Sequence, residues 1–230
     1  MRRTVEGESF KRFALAGSKR GTDAKGYYED KDEDERQERE LSCAYSEETI
    51  RNYRFFLDED ITAPSKYRQL IHVLLSAAPT DRIELIINSG GGRLDSAVAI
   101  ISAIFNSQAT VVGFVMGDCY SAASMIALAC HELYVEDFGT FMVHSASYGT
   151  GGSHREISDR ASFEEGRLNT IYNLIYTGFL TEEEIEKVRC GYTYWMQTEE
   201  VRERLDKRKE YFATRQDEDI EEEEKVILLS

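Results

Sequence analysis

Met116-Gly117-Asp118-Cys119-Tyr120-Ser121-Ala122-Ala123-Ser124 is the stretch on which the fold turns. It follows a strand-like run, Thr110-Val111-Val112-Gly113-Phe114-Val115, and opens an apolar helix, Ala122 to Ala129. A strand that passes directly into a helix leaves a serine at the helix N-terminus. Free backbone N–H groups converge there, and the helix dipole favours negative charge. That setting suits a nucleophile whose attack creates an oxyanion. It also suits a plain N-cap serine, and the stretch alone does not separate the two.

Upstream of this stretch, Ile83-Glu84-Leu85-Ile86-Ile87 reads as a buried strand. A helix from about Leu94 to Ser107 follows it, with Ala97, Ile100, Ile101 and Ile104 facing inward. Earlier still, Tyr53 to Leu57 reads as a strand. Ala63-Pro64-Ser65 then leads into a helix carrying Tyr67, Leu70, Ile71 and Leu74 on one side. Downstream come strands at Leu133-Tyr134-Val135 and Phe141-Met142-Val143, then a glycine-rich break from Ser147 to Ser153. A long helix runs from roughly Glu156 to Tyr176, and Thr181 heads a capping box with Glu184. Such alternation predicts α/β layering with a largely parallel core sheet and no internal repeat.

The 230 residues suffice for one sizeable core, and 41% hydrophobic content makes the middle globular. The net charge of −15 argues against a nucleic-acid partner, because phosphates need a basic surface. No apolar run is long enough to span a membrane. Cys43, Cys119, Cys130 and Cys190 form no C-x-x-C pair, which favours reduced thiols in a cytoplasmic compartment over a disulfide scaffold. The first residues lack the apolar region of a secretory signal. Residues 1–48 are polar and charged, with the run Glu29 to Arg36 having nothing to bury, and are read as a disordered extension. Residues 213–230, which include the acidic run Asp217 to Glu224, are read as a solvated tail. The domain between is placed at 49–212.

Asn88-Ser89-Gly90-Gly91-Gly92 joins a strand to a helix. Its glycines let the backbone turn sharply and aim N–H groups at a ligand. No G-x-G-x-x-G and no following Lys-Ser/Thr marks a phosphate loop, so an oxyanion hole and a tight turn both stay open. His144 closes a buried strand, where it is either a base or a structural hydrogen-bonder. His72, His131 and His154 show no metal-ligand spacing with it, and neither a metal nor a cofactor is expected.

Glycine turn, Gly-x-x-x-Ser and Met-Val-His, each at the end of a strand and in that order, resemble the proteolytic subunit of the Clp protease, the ClpP family of serine peptidases. The likeness runs from about Arg54 to Leu205. The family's Asn-Ser-Pro-Gly-Gly matches Asn88 to Gly92, its Met-Gly-x-x-x-Ser matches Met116 to Ser121, and its Met-Ile-His matches Met142-Val143-His144. A later Phe-Met/Leu-Ser-x-x-Glu-Ala segment is echoed by Trp195 to Val201. The resemblance implies a ClpP/crotonase-like α/β fold of layered ββα units with a protruding handle helix. It implies Ser121 as nucleophile, His144 as general base, and the N–H groups of Gly91 and Ala122 as oxyanion donors. Ser124, one helical turn further on, would face away. Gly149, Gly151 and Gly152 fall in the handle, which in the family lines up the substrate strand by main-chain bonds and joins two rings. The implied partners are a protein or peptide substrate and further copies of the chain, as a heptamer or stacked double ring.

Two departures stand against that pattern. The family's third catalytic residue is an aspartate, and here the position is Thr193, whose hydroxyl can accept from the imidazole Nδ1–H but brings no charge, so that Ser121 and His144 would act as a catalytic pair helped by Thr193. Glu186 and Asp137 are the candidate acids to reach His144 in its place. Residues 1–48 bear no likeness to the family's axial loops, which answer to an ATP-driven unfoldase, so such a partner has little support. Divergent members, virus-encoded ones among them, process or assemble with particle proteins. The resemblance therefore implies a ring-forming serine endopeptidase, with an inactive assembly subunit as the alternative. A crotonase-like acyl-CoA enzyme ranks below both, because the carboxylates such enzymes use cannot be placed here.

Overall fold

The computed structural model describes residues 50–228, with side chains through Arg215. The extension read over residues 1–48 lies outside them. Six strands form one sheet: β1 (Asn52–Leu57), β2 (Arg82–Ser89), β3 (Thr110–Tyr120), β4 (Glu132–Val135), β5 (Thr140–Val143) and β6 (Tyr194–Met196). The order is β1-β2-β3-β5-β6, and β4 pairs with β3 as well. All pairings are parallel except β5 with β6. The α/β layering and the parallel core expected from the alternation are what the chain adopts.

The helices are α1 (Arg68–Ser76), α2 (Leu94–Phe105), α3 (Ala122–Ala129), α4 (His154–Tyr176), α5 (Glu182–Arg189) and α6 (Thr198–Leu228). All eight residues of α3 are buried; seven are apolar, and Ser124 has its hydroxyl bonded to a backbone carbonyl. It lies in a core with Leu74, Ile83, Leu85, Ile100, Ile104 and Phe141. The predicted inward face of α2, Ala97, Ile100, Ile101 and Ile104, is buried. The Thr181 capping box forms, with Thr181 Oγ1 accepting from Glu184 N and Glu184 reaching back to Thr181 N.

Three features extend beyond the sequence reading. β3 continues through Tyr120, because Asp118, Cys119 and Tyr120 pair with Thr140, Phe141 and Met142 of β5. β6 is three residues long, too short for alternation to reveal. α6 crosses the position where the acidic tail was expected to begin, and its backbone is helical to Leu228. The sheet face away from α2 and α3 carries a row in register, Phe56, Ile86, Phe114 and Tyr134. Phe56 and Tyr134 are exposed, and Phe114 stacks on Tyr134 at 5.4 Å. No described helix is long and apolar enough to cross a membrane.

Candidate active site

Between β3 and α3 there is no loop, and one residue makes the turn. Ser121 has φ 55 and ψ −120, the only positive φ outside glycine among the described residues. An L-residue held there is strained by roughly 1–3 kcal/mol and needs its neighbours to fix it. Ser121 N donates to Met142 O at 2.8 Å, and Ser121 O accepts from Met125 N at 3.3 Å. Ser124, fully buried, donates its hydroxyl to Ser121 O at 2.7 Å, so it faces away from the site and braces the turn.

With its backbone pinned, Ser121 points its hydroxyl at His144: Oγ and Nε2 are 2.7 Å apart. The sheet register brings them together. Tyr120 pairs with Met142, so the ends of β3 and β5 lie side by side. The chain leaving His144 is tied by Ala146 N, which donates to the hydroxyl of Tyr172 at 2.6 Å. Tyr172 sits on α4 and is 2% exposed.

The far side of the imidazole is different. The β5–β6 register pairs Val143 with Tyr194, and its continuation sets Thr193 opposite His144. Yet no described residue, Thr193 included, hydrogen-bonds His144 Nδ1. A threonine hydroxyl sits one bond closer to its own backbone than an aspartate oxygen, so it reaches less far. Glu186 accepts from Arg189 at 2.9 Å and Asp137 from Arg202 at 3.0 Å. Neither substitute acid approaches the imidazole by any hydrogen bond.

The glycine turn packs on the serine. A Cβ on Gly91, whose φ is +91, would meet Tyr120 O at 2.5 Å and Ser121 Cβ at 2.9 Å. Gly91 packs on the serine, but its N–H, the oxyanion donor that the resemblance implied, is engaged elsewhere: it donates to Ser89 Oγ at 3.1 Å. Gly91 O accepts from Ile61 N at 2.7 Å. In a trans peptide the N–H points opposite to the carbonyl, so the Gly92 N–H points away from Ile61. It meets no acceptor among the described residues. The same reasoning turns the Ala122 N–H outward, opposite to the Ser121 carbonyl that α3 engages.

A cleft of about 810 Å³ opens over these groups, lined among others by Ile61, Gly92, Met125, Met142, Ala146 and Tyr172. A larger groove of about 1060 Å³ between α5 and α6 contains neither Ser121 nor His144. The predicted substrate glycines lie outside the cleft. A Cβ on Gly149 or Gly151 would meet nothing within 4 Å, while Gly152, at φ +145, packs on Glu156 in the cap of α4. The segment from His144 to Ser153 belongs to no strand. Among the described residues, no group of three His, Cys, Asp or Glu side chains could hold a metal ion.

Sequence reasoning placed Ser89 and Gly92 in the glycine turn without giving either a role of its own, and it did not find Tyr172. Tyr172 lies at helical spacing with Leu168, Ile175 and Tyr176, a pattern that reads as core. Ser89 ends an apolar strand and reads as a turn residue. The family model described as Clp protease matches residues 36–204 of the chain. A comparison with curated proteins finds no match.

Proposed function

The chain belongs to the Clp protease family, and we propose that within it Ser121 and His144 act as a catalytic pair hydrolysing peptide bonds. Ser121 Oγ attacks the scissile carbonyl carbon while His144 Nε2 takes its proton. The carbonyl oxygen becomes an oxyanion, held by the N–H groups of Ala122 and Gly92, with Gly91 supplying the close backbone approach. Collapse breaks the C–N bond, and the imidazolium returns its proton to the leaving amine. Water, deprotonated by His144, then hydrolyses the acyl group from Ser121.

The observation that carries this reading is the 2.7 Å contact between Ser121 Oγ and His144 Nε2 on a serine held at positive φ. A fluorophosphonate probe should label the protein on Ser121 and leave Ser121→Ala unlabelled. A folded protein that takes no label overturns it.

The substrate would be an extended segment of an unfolded or particle-associated protein. The backbone of residues 144–153 belongs to no strand, and with Gly149 and Gly151 unobstructed it offers main-chain groups to such a strand. The family typically forms oligomeric rings. Here the exposed row ending in Phe56 and Tyr134, and the exposed first turns of α4, would serve self-association. The mass of the gel-filtration peak tests this.

A second reading has its own observation. His144 Nδ1 meets no acceptor among the described residues, so nothing there fixes its tautomer or stabilises imidazolium. A weak or inactive subunit that keeps the assembly surfaces fits that feature, and absence of labelling in a well-formed ring would favour it.

A further inference from the structure

We infer that Ser89 is a positioning residue for the oxyanion hole, deciding which amide of the glycine turn is left free. The inference rests on the serine-peptidase reading and goes beyond it, because Ser89 touches neither the nucleophile nor the base.

Ser89 closes β2, is 2% exposed, and pairs with Cys119 after an irregularity in the β2–β3 ladder. Its hydroxyl has one proton, and it donates this to Glu59 O at 2.7 Å. An oxygen lone pair is then left facing the turn, and it accepts the Gly91 N–H at 3.1 Å. The direction of the Glu59 bond thus fixes Ser89 as an acceptor toward Gly91.

The next peptide follows. The Gly91 N–H faces Ser89 and the Gly91 carbonyl accepts from Ile61 N. Arg93 N in turn donates to Ile61 O at 2.7 Å, which closes the far side of the turn. The Gly91–Gly92 peptide is therefore held at its own carbonyl by Ile61 N, the peptides before and after it are anchored by Ser89 Oγ and Ile61 O, and its N–H is directed off the Ile61 side. A donor held in place before the reaction needs no reorientation as charge develops, and that preorganisation is the main source of oxyanion stabilisation. Without the Ser89 acceptor, the Gly91 N–H is left buried and unpaired. A small rotation at Gly90 and Gly91, which glycine permits, would release it and swing the Gly92 N–H away.

The test compares wild type with Ser89→Ala and Ser89→Cys on a fluorogenic peptide. It also measures the affinity of a peptide boronate, whose adduct with Ser121 mimics the tetrahedral intermediate. Ser89→Ala should lower kcat tenfold to a hundredfold, leave KM within twofold, and weaken the boronate in step with kcat. Ser89→Thr, which keeps the hydroxyl, should recover most of the loss. Should Ser89→Ala not fold, Ser89→Cys carries the comparison, because a thiol of nearly the same size is a poor acceptor. A folded variant with unchanged kcat, or with a change in KM alone, overturns the inference while leaving the peptidase reading in place. A wild-type protein that takes no fluorophosphonate removes both.

Discussion

On one side of the reacting pair, at the glycine turn and the β3–α3 junction, main-chain bonds set most of the shape, and the buried hydroxyls of Ser89 and Ser124 complete it. Ser121 N, Ser121 O, Gly91 O and Arg93 N all find backbone partners. On the other side, around α5 and the start of α6, shape is held by charged side chains. Arg204 forks onto Glu184 at 2.8 and 2.9 Å and meets Glu200 at 3.0 Å, and Arg202 grips Val135 O and Asp137. Backbone bonds persist through side-chain changes, whereas a charge pair disappears with either partner. The first side holds Ser121 at its positive φ against His144. The second has Thr193 where an acid would stand, and it answers to His144 only through the β5–β6 register.

The largest effect should come from the backbone-held side. Gly92 has φ +142, and a Cβ there would meet Ile61 O at 2.2 Å. Gly92→Ala should lower kcat/KM on the order of 10²–10³-fold, the usual loss for one oxyanion donor. Steady-state peptidase assays check it, and retained activity would mean that the turn supplies no donor.

Thr193→Asp tests the other side. Neutralising the acid in a complete triad lowers kcat by about 10⁴, so supplying one in imperfect surroundings should raise kcat by about 10–10²-fold at neutral pH. An unchanged rate in a folded variant would show that the register does not bring this position within reach of Nδ1.

Tyr172→Phe removes the acceptor of the Ala146 N–H and loosens the chain leaving His144. The loss of one hydrogen bond, about 1 kcal/mol, should reduce kcat by about threefold to tenfold. Kinetics that leave kcat untouched would assign Tyr172 to the core alone.

The smallest effect concerns stability. Its hydrogen bonds to Arg204 hold the Glu184 carboxyl down at about 2, from an ordinary 4.5. A depressed native pKa stabilises the fold above the unfolded value, and that contribution fades as pH falls from about 4.5 toward 2. Arg204→Met should lower Tm at pH 7 by about 2–6 °C, for a partly exposed pair worth roughly 1–2 kcal/mol. The gap from wild type should narrow as the pH drops below about 4. A gap independent of pH would assign the loss to packing of the Arg204 stem.

The sequence by itself determined the α/β alternation, the inward face of α2, the Thr181 cap, and the serine and histidine at strand ends. Each of those is a local signal: a helical or strand period, a cap spacing, a run of glycines. Tertiary structure alone decided that β3 runs on to the serine, because Asp118, Cys119 and Tyr120 find their strand partners in β5, which no local period announces. It also decided which glycine amide stays free. That choice depends on Ile61 and Glu59, some thirty residues earlier in the chain, and on the direction of one serine O–H. Bonds between distant parts of the backbone leave no periodic trace in a sequence, so they become legible only when the strands have met.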